Sequence, residues 1–218
     1  MLDLLFPRRC VACGATGSTF CDVCLEVLPR LREPWCDRCG APTAWPVARC
    51  LECAGRRLAF ASARAAVAYD ERVRTLIAAW KEHGLRGLGS VAGDVVADVR
   101  HPDADAVTWV PPDRDRALKR ADHPPERLAR AVAKRWEMPP LDLLRRTRPG
   151  RRQRGSSLEN RRRNVRGAFG ANGRAPRRLI LVDDVYTSGA TANAAASALR
   201  QAGARTVHVV TFARTLRA

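Results

Sequence analysis

The run Leu179-Ile180-Leu181-Val182-Asp183-Asp184-Val185-Tyr186-Thr187-Ser188-Gly189-Ala190-Thr191 has the residue types for holding a phosphorylated sugar. The apolar residues suit a buried strand of a parallel sheet, whose carboxyl edge is where open α/β folds bind ligands. The small residues that follow expose backbone N–H groups at the start of a helix, where the helix dipole also favours an anion. Gly189 lets the backbone approach closely, and Thr187, Ser188 and Thr191 add hydroxyls. Asp183 and Asp184 would repel a phosphate, so they are expected to serve sugar hydroxyls or a hydrated Mg²⁺. An ordinary capped βα turn is the plainer alternative, and two adjacent acids after a buried strand argue against it.

All eight cysteines fall in four CxxC pairs: Cys10/Cys13, Cys21/Cys24, Cys36/Cys39 and Cys50/Cys53. A CxxC knuckle presents two thiolates at tetrahedral angles, and two knuckles close a Cys₄ zinc site with no open position. Eight cysteines make two such sites, with consecutive pairing expected and a crossed pairing as the alternative. A redox CxxC would require a thioredoxin-like unit, and an iron–sulfur cluster is the other competitor. The zinc is assigned a folding role and no catalysis.

A third group of residues is basic. The net charge is +17, and Lys occurs only at 81, 119 and 134, so nearly all of the 39 basic residues are arginine. Such a surplus suits polyanionic partners, although genome composition alone can produce it. Arg151, Arg152, Arg154, Arg161, Arg162 and Arg163 are clustered, and Arg grips phosphate with a bidentate fork. They would close on pyrophosphate or track a single strand of nucleic acid, the alternative being a solvated loop. Lys119 and Arg120 follow the segment Pro111–Arg116. His83, His101, His123 and His208 show no ligand spacing and default to surface or core roles.

These residues need positioning elements. Residues 1–58 are rich in Cys, Pro and Gly and need a metal staple to fold. Residues 59–218 read as an α/β domain. Ala61–Tyr69 suits a strand, and Asp70 caps a helix over Glu71–His83 whose inner face is Val73, Leu76, Ile77 and Trp80. Leu88, Val91, Val95 and Val99 mark a second helix. Ala106–Val110 is a short buried strand. Asp122 would cap a third helix, with Pro124 and Pro125 in its first turn and Leu128, Val132 and Trp136 inside. Leu141–Leu144 is expected to form another strand. The stretch Arg145–Arg178 is expected to be mobile without ligand. Leu179–Val182, Ala190–Ala202 and Val207–Ala213 then form a βαβ unit with Gly203 just past the helix. Met1–Phe6 is too short for a signal peptide and no apolar run spans a bilayer, so a cytoplasmic location is expected.

The thirteen-residue run resembles the 5-phosphoribosyl-1-pyrophosphate (PRPP) signature of type I phosphoribosyltransferases, with its Asp-Asp and Thr-x-Gly-x-Thr. The four-CxxC amino terminus, Gln153 and Glu159–Phe169 are similar to the ComF family, which joins a double zinc ribbon to such a domain. The resemblance implies a parallel sheet flanked by helices. It implies that Asp183 and Asp184 hold the ribose hydroxyls of Mg²⁺-PRPP, and that Tyr186, Thr187, Ser188, Gly189, Ala190 and Thr191 cradle its 5-phosphate. Pyrophosphate or nucleic-acid contacts would fall to Lys119, Arg120, Arg161 and Arg162. The family is associated with DNA uptake, which implies single-stranded DNA and a DNA-uptake helicase or ATPase as partners. The pattern departs from the family at Trp109-Val110-Pro111-Pro112 and Lys119-Arg120-Ala121-Asp122-His123: a Gly-Phe pair is missing, and His123 stands for a Gln. Two functions follow: a pentosyl transferase, or a non-catalytic single-strand-binding assembly factor. The segment between Val110 and Leu128 discriminates them.

Overall fold

The computed structural model describes residues 8–82, 87–99, 103–112, 123–147 and 167–216. Eleven named elements follow in chain order: α1 (Asp22–Glu26), β1 (Ser62–Ala68), α2 (Glu71–Glu82), α3 (Gly87–Ala97), β2 (Ala106–Trp109), α4 (Pro124–Arg135), β3 (Leu144–Arg146), β4 (Phe169–Ala171), β5 (Arg178–Tyr186), α5 (Ala190–Gln201) and β6 (Thr206–Arg214). Of the sequence-based assignments, Met1–Phe6, His83, His101, Lys119, Arg120, Asp122, Gln153 and the arginines at 151, 152, 154 and 161–163 lie outside the described residues.

Four parallel strands form the sheet in the order β1-β6-β5-β2. β5 and β6 are central, and the alternation of side chains along each strand feeds two cores. On one face Ile180, Val182, Val210 and Phe212 meet Val73, Leu76, Ile77 and Trp80 of α2, Leu88 and Val95 of α3, and Leu128 and Val132 of α4. On the other, Leu179, Leu181, Val207 and Val209 meet Ala192, Ala195, Ala196 and Leu199 of α5. The parallel sheet flanked by helices, behind a cysteine-rich module, is the expected arrangement.

Local chemistry explains most boundaries. Asp70 Oδ1 accepts the Val73 N–H at 2.9 Å, so α2 is capped as its sequence requires. α4 starts without a side-chain cap, because its first two residues are Pro124 and Pro125 and lack the N–H groups that a cap would serve. Gly203 takes φ 112° just past α5, a conformation only glycine adopts cheaply. Gly93 brings α3 onto α4: a Cβ there would lie 2.5 Å from the Ala131 Cβ.

Two strand assignments are corrected. The strand expected at Leu141–Leu144 forms at Leu144–Arg146, antiparallel to β4. Residues 139–141 are held elsewhere: the Val107 N–H donates to the Pro139 carbonyl and the Leu141 N–H to the Val107 carbonyl, 3.0 and 2.8 Å. Prolines at 139 and 140 offer no N–H, so this contact stays a bridge on the edge of β2. β5 is also longer than Leu179–Val182: it runs on to Tyr186 and takes in Asp183 and Asp184.

The zinc module does not stand apart from these cores. Cys10, Phe20 and Leu28 join the α2–α4 side, whereas Cys36, Cys39, Cys53 and Phe60 join the α5 side. The linker between the two ribbons runs along the outer edge of β1. Arg30 bridges Val67, the Leu31 N–H donates to the Ala66 carbonyl at 2.9 Å, and the Ala68 N–H donates to the Pro29 carbonyl at 2.8 Å.

Candidate functional site

Period-two geometry sends the two acids of β5 to opposite faces. Asp184 continues the Ile180/Val182 row toward α2, and there its Oδ2 pairs with Lys81 Nζ. Asp183 continues the Leu179/Leu181 row toward α5. It lines a small recess with Thr187, Gly189, Thr191 and Thr211. The Asp183 carboxylate accepts the Asp184 N–H at 2.9 Å. Burial, and then the charge of Asp184, push Asp183 up to about 8, while the Asp184 N–H, Lys81 and Arg146 pull the other way. A ligand that brought hydroxyl donors or a cation would favour its ionised form.

The loop itself, Thr187–Gly189, is shaped by its carbonyls. The Thr215 N–H donates to the Tyr186 carbonyl at 3.0 Å, and the Asn193 N–H to the Gly189 carbonyl at 2.9 Å. Thr215 Oγ1 donates to the Thr187 carbonyl at 3.4 Å. Arg56 Nη2 donates to the Ser188 carbonyl at 2.7 Å. In a trans peptide the N–H points opposite to the C=O. The tied carbonyls of Tyr186, Thr187 and Ser188 therefore turn the N–H groups of Thr187, Ser188 and Gly189 away from the protein, toward where an anion would sit. Gly189 takes φ 69°, and a Cβ there would fall 2.3 Å from the Tyr186 hydroxyl. Ser188 Oγ accepts the Ala190 N–H at 3.3 Å, which leaves the Ser188 O–H to donate elsewhere.

Tyr186 itself faces inward. Its ring meets Phe60 edge-on at 6.4 Å between centroids, and its hydroxyl is buried with no partner among the described residues. Its side chain therefore props the loop from beneath. On the α2 side, His123 opens α4 with Nδ1 buried and no partner among the described residues. Burial pulls it down to about 4, against the carboxylates of Glu126 and Asp184, so the ring is neutral. Arg146 at the end of β3 lies 4.9 Å over the Phe169 ring, and its charge acts on both Asp183 and His123. The site thus gathers Asp183, Asp184, the loop, Lys81, Arg146 and His123. Lys81, one of the three lysines of the sequence, is brought here by α2. Arg146 and Arg56 carry no local signal, because these partners are remote in the chain, and His123 was marked only as standing for a Gln.

The cysteines form the two consecutive sets, Cys10/13/21/24 and Cys36/39/50/53, with all sulfurs of a set within 4.8 Å of one another. Tetrahedral zinc with Zn–S near 2.3 Å requires about 3.8 Å between sulfurs. Cys13–Cys21 and Cys36–Cys53 are each 3.6 Å apart, Cys39–Cys50 3.4 Å and Cys50–Cys53 4.0 Å. One ion at the centre reaches all four thiolates. The Cys21 and Cys50 N–H groups donate to the sulfurs of Cys10 and Cys36, at 3.4 and 3.2 Å, as knuckles do to stabilise thiolate charge. Burial opposes the Cys36 thiolate, but the N–H groups of Cys39, Cys50 and Arg38 outweigh it and bring Cys36 down to about 7. Both sites fit structural Zn²⁺.

Residues 1–55 match the double zinc ribbon domain family. Competence protein F of Haemophilus influenzae is 25% identical over 226 residues, spanning 96% of this chain and 98% of that protein. The chain is thus similar to that protein along nearly its whole length, and its amino terminus is a double zinc ribbon. Among solved structures, a glutamine phosphoribosylpyrophosphate (PRPP) amidotransferase from B. subtilis is similar at 27% identity and a TM-score of 0.39. The match covers 56% of this chain and 25% of that one, so the chain spans about a quarter of the amidotransferase. An orotate phosphoribosyltransferase from Aeropyrum pernix is similar at 25% identity, 67% of each chain and a TM-score of 0.36. No helix among the described residues is long and apolar enough to cross a membrane.

Proposed function

We propose that this ComF-type protein binds Mg²⁺-PRPP, or a related phosphoribosyl ligand, at the end of β5. The observation that carries the reading is the loop whose four carbonyls are tied inward beside two acids. The N–H groups of Thr187, Ser188, Gly189 and Thr191, with the hydroxyls of the loop, hold the 5-phosphate, and the start of α5 lies behind them. Asp183 and Asp184 accept the ribose hydroxyls. Lys81 pairs with Asp184, and Arg146 supplies positive charge nearby. Mg²⁺, when bound with the ligand, neutralises pyrophosphate charge. In a transferase reaction a nucleophile forms a bond to the anomeric carbon as the C–O bond to pyrophosphate breaks. The leaving charge would be met by Lys119, Arg120, Arg161 and Arg162. In this reading residues 1–58 are the zinc-stapled module, residues 59–218 the ligand domain, and the compartment is the cytoplasm, where thiolates stay reduced.

A second reading keeps the phosphate site without turnover, in a factor that grips single-stranded DNA during uptake beside a helicase or ATPase. The +17 charge and the competence relative favour it. One experiment separates the two: calorimetric titration of zinc-loaded protein with Mg²⁺-PRPP, and in parallel with a single-stranded oligonucleotide. Saturable PRPP binding that disappears in a folded Asp183→Ala, Asp184→Ala double variant supports the first. Oligonucleotide binding without PRPP binding replaces it with the second.

A further inference from the structure

The second ribbon reaches under the phosphate loop through two arginines. Arg214, the last residue of β6, sits beside Tyr186 in the ladder and is 1% exposed. Its Nη1 donates to the Cys39 carbonyl at 2.6 Å, and its Nη2 pairs with Glu52 Oε2 at 3.1 Å. Both partners lie within the second set of knuckles, Cys39 as a zinc ligand and Glu52 as a spacer residue. The guanidinium carbon lies 5.0 Å over the Tyr186 ring. Tyr186 in turn lies directly beneath Gly189. A buried guanidinium is held hard by its partners, because leaving it unpaired costs several kcal/mol. Arg56, three residues after Cys53, forms the other reach, onto the Ser188 carbonyl. That bond fixes the Ser188–Gly189 peptide and therefore aims the Gly189 N–H away from Arg56. Just beyond it, the Ala59 N–H donates to Asn193 Oδ1 on the first turn of α5, at 2.6 Å.

We infer that Arg56, Glu52 and Arg214 are positioning residues for the phosphate loop, and that the second Cys₄ site is the anchor on which they set its shape. The knuckles hold Cys39 and Glu52 in place. Arg214 transmits that placement to Tyr186 and the floor of Gly189. Arg56 orients the peptide whose N–H meets the ligand. The inference rests on the phosphate-site reading above, but its mechanical part does not require a ligand.

The test uses full-length, zinc-loaded protein and three readouts: zinc per chain, amide hydrogen exchange of peptides spanning residues 186–199, and Mg²⁺-PRPP affinity. Arg56→Ala and Glu52→Ala are expected to keep two zinc ions. They should raise exchange in 186–199 at least tenfold and weaken PRPP binding by a similar factor. Glu52→Gln keeps an oxygen acceptor for Arg214 and is expected to stay within about threefold of the parent. Parent-like exchange in both alanine variants, with zinc retained, overturns the inference. Loss of zinc together with faster exchange in Glu52→Ala leaves Arg56→Ala to decide by the same criterion. If exchange responds while the parent protein binds no PRPP, the positioning stands and the phosphate reading falls.

Discussion

Lys81 on α2 and Asp184 on β5 form an ion pair across the interface between the helix layer and the sheet, with the carboxylate side chain 12% exposed. The pair ties the helix to the strand at the carboxyl end of the sheet. Replacing Lys81 by Met leaves a mostly buried carboxylate without its partner. The expected cost is about 1–3 kcal/mol, below that of a fully buried pair because Lys81 is partly solvated. Urea unfolding at neutral pH checks it, and Lys81→Arg should recover most of the loss.

Asp183 sets a second expectation, in pH. Its folded pKa, about 8, lies above its ordinary value, so between about 4 and 8 the folded chain holds a proton that the unfolded chain has released. Its contribution is present below pH 4 and is lost as pH rises through 8. His123 works in the opposite sense: depressed to about 4, it contributes above its ordinary value and loses that contribution as pH falls toward 4. Asp183→Asn should therefore flatten the decline of stability between pH 6 and 8, and His123→Gln the decline below 6. Thermal unfolding midpoints across pH 4–9 read both. A parent-like profile in Asp183→Asn would mean that the carboxyl titrates normally.

Gly189→Ala joins two costs: a left-handed φ and a methyl driven into the Tyr186 hydroxyl. Together they should lower stability by about 1–3 kcal/mol and shift the loop enough to reduce PRPP affinity at least tenfold. Calorimetry and thermal unfolding give the two numbers separately. Unchanged affinity would show that the loop does not touch the ligand.

The two zinc sites should differ in lability. Cys36, Cys39 and Cys53 are buried, whereas Cys13 is exposed and Cys21 and Cys24 are half-buried. A chromogenic chelator is expected to take two zinc ions per chain in two phases. Cys13→Ser should abolish the fast phase and spare the slow one. A single phase of two ions would contradict the asymmetry.

What the chain announced, and what it did not, follows from the range of the interactions. The α2 face, the four knuckles and the β5–α5–β6 unit were legible because periodicity, spacing and caps act within a few residues. Asp70 and Gly203 are examples. The corrected strand at 144–146 was not, because its partner, β4, lies more than twenty residues on and prolines 139–140 divert the preceding segment to β2. At the site, Asp183 and Asp184 were named from type alone, yet their opposite facing needed the length of β5. Arg56 and Arg214 could not be found at all, since each acts on a residue more than a hundred positions away and nothing near it in sequence marks the role.

The linker between the ribbons borders β1 with three backbone contacts, so a sheet edge that would otherwise offer free N–H and C=O groups is closed by a segment whose two ends are each held by a metal site. A chain made without zinc would leave that edge open, next to the apolar residues that the ribbons cover. Exposed edges pair with other chains. Metal supply during synthesis would then govern how much chain escapes self-association, quite apart from any ligand the finished protein binds.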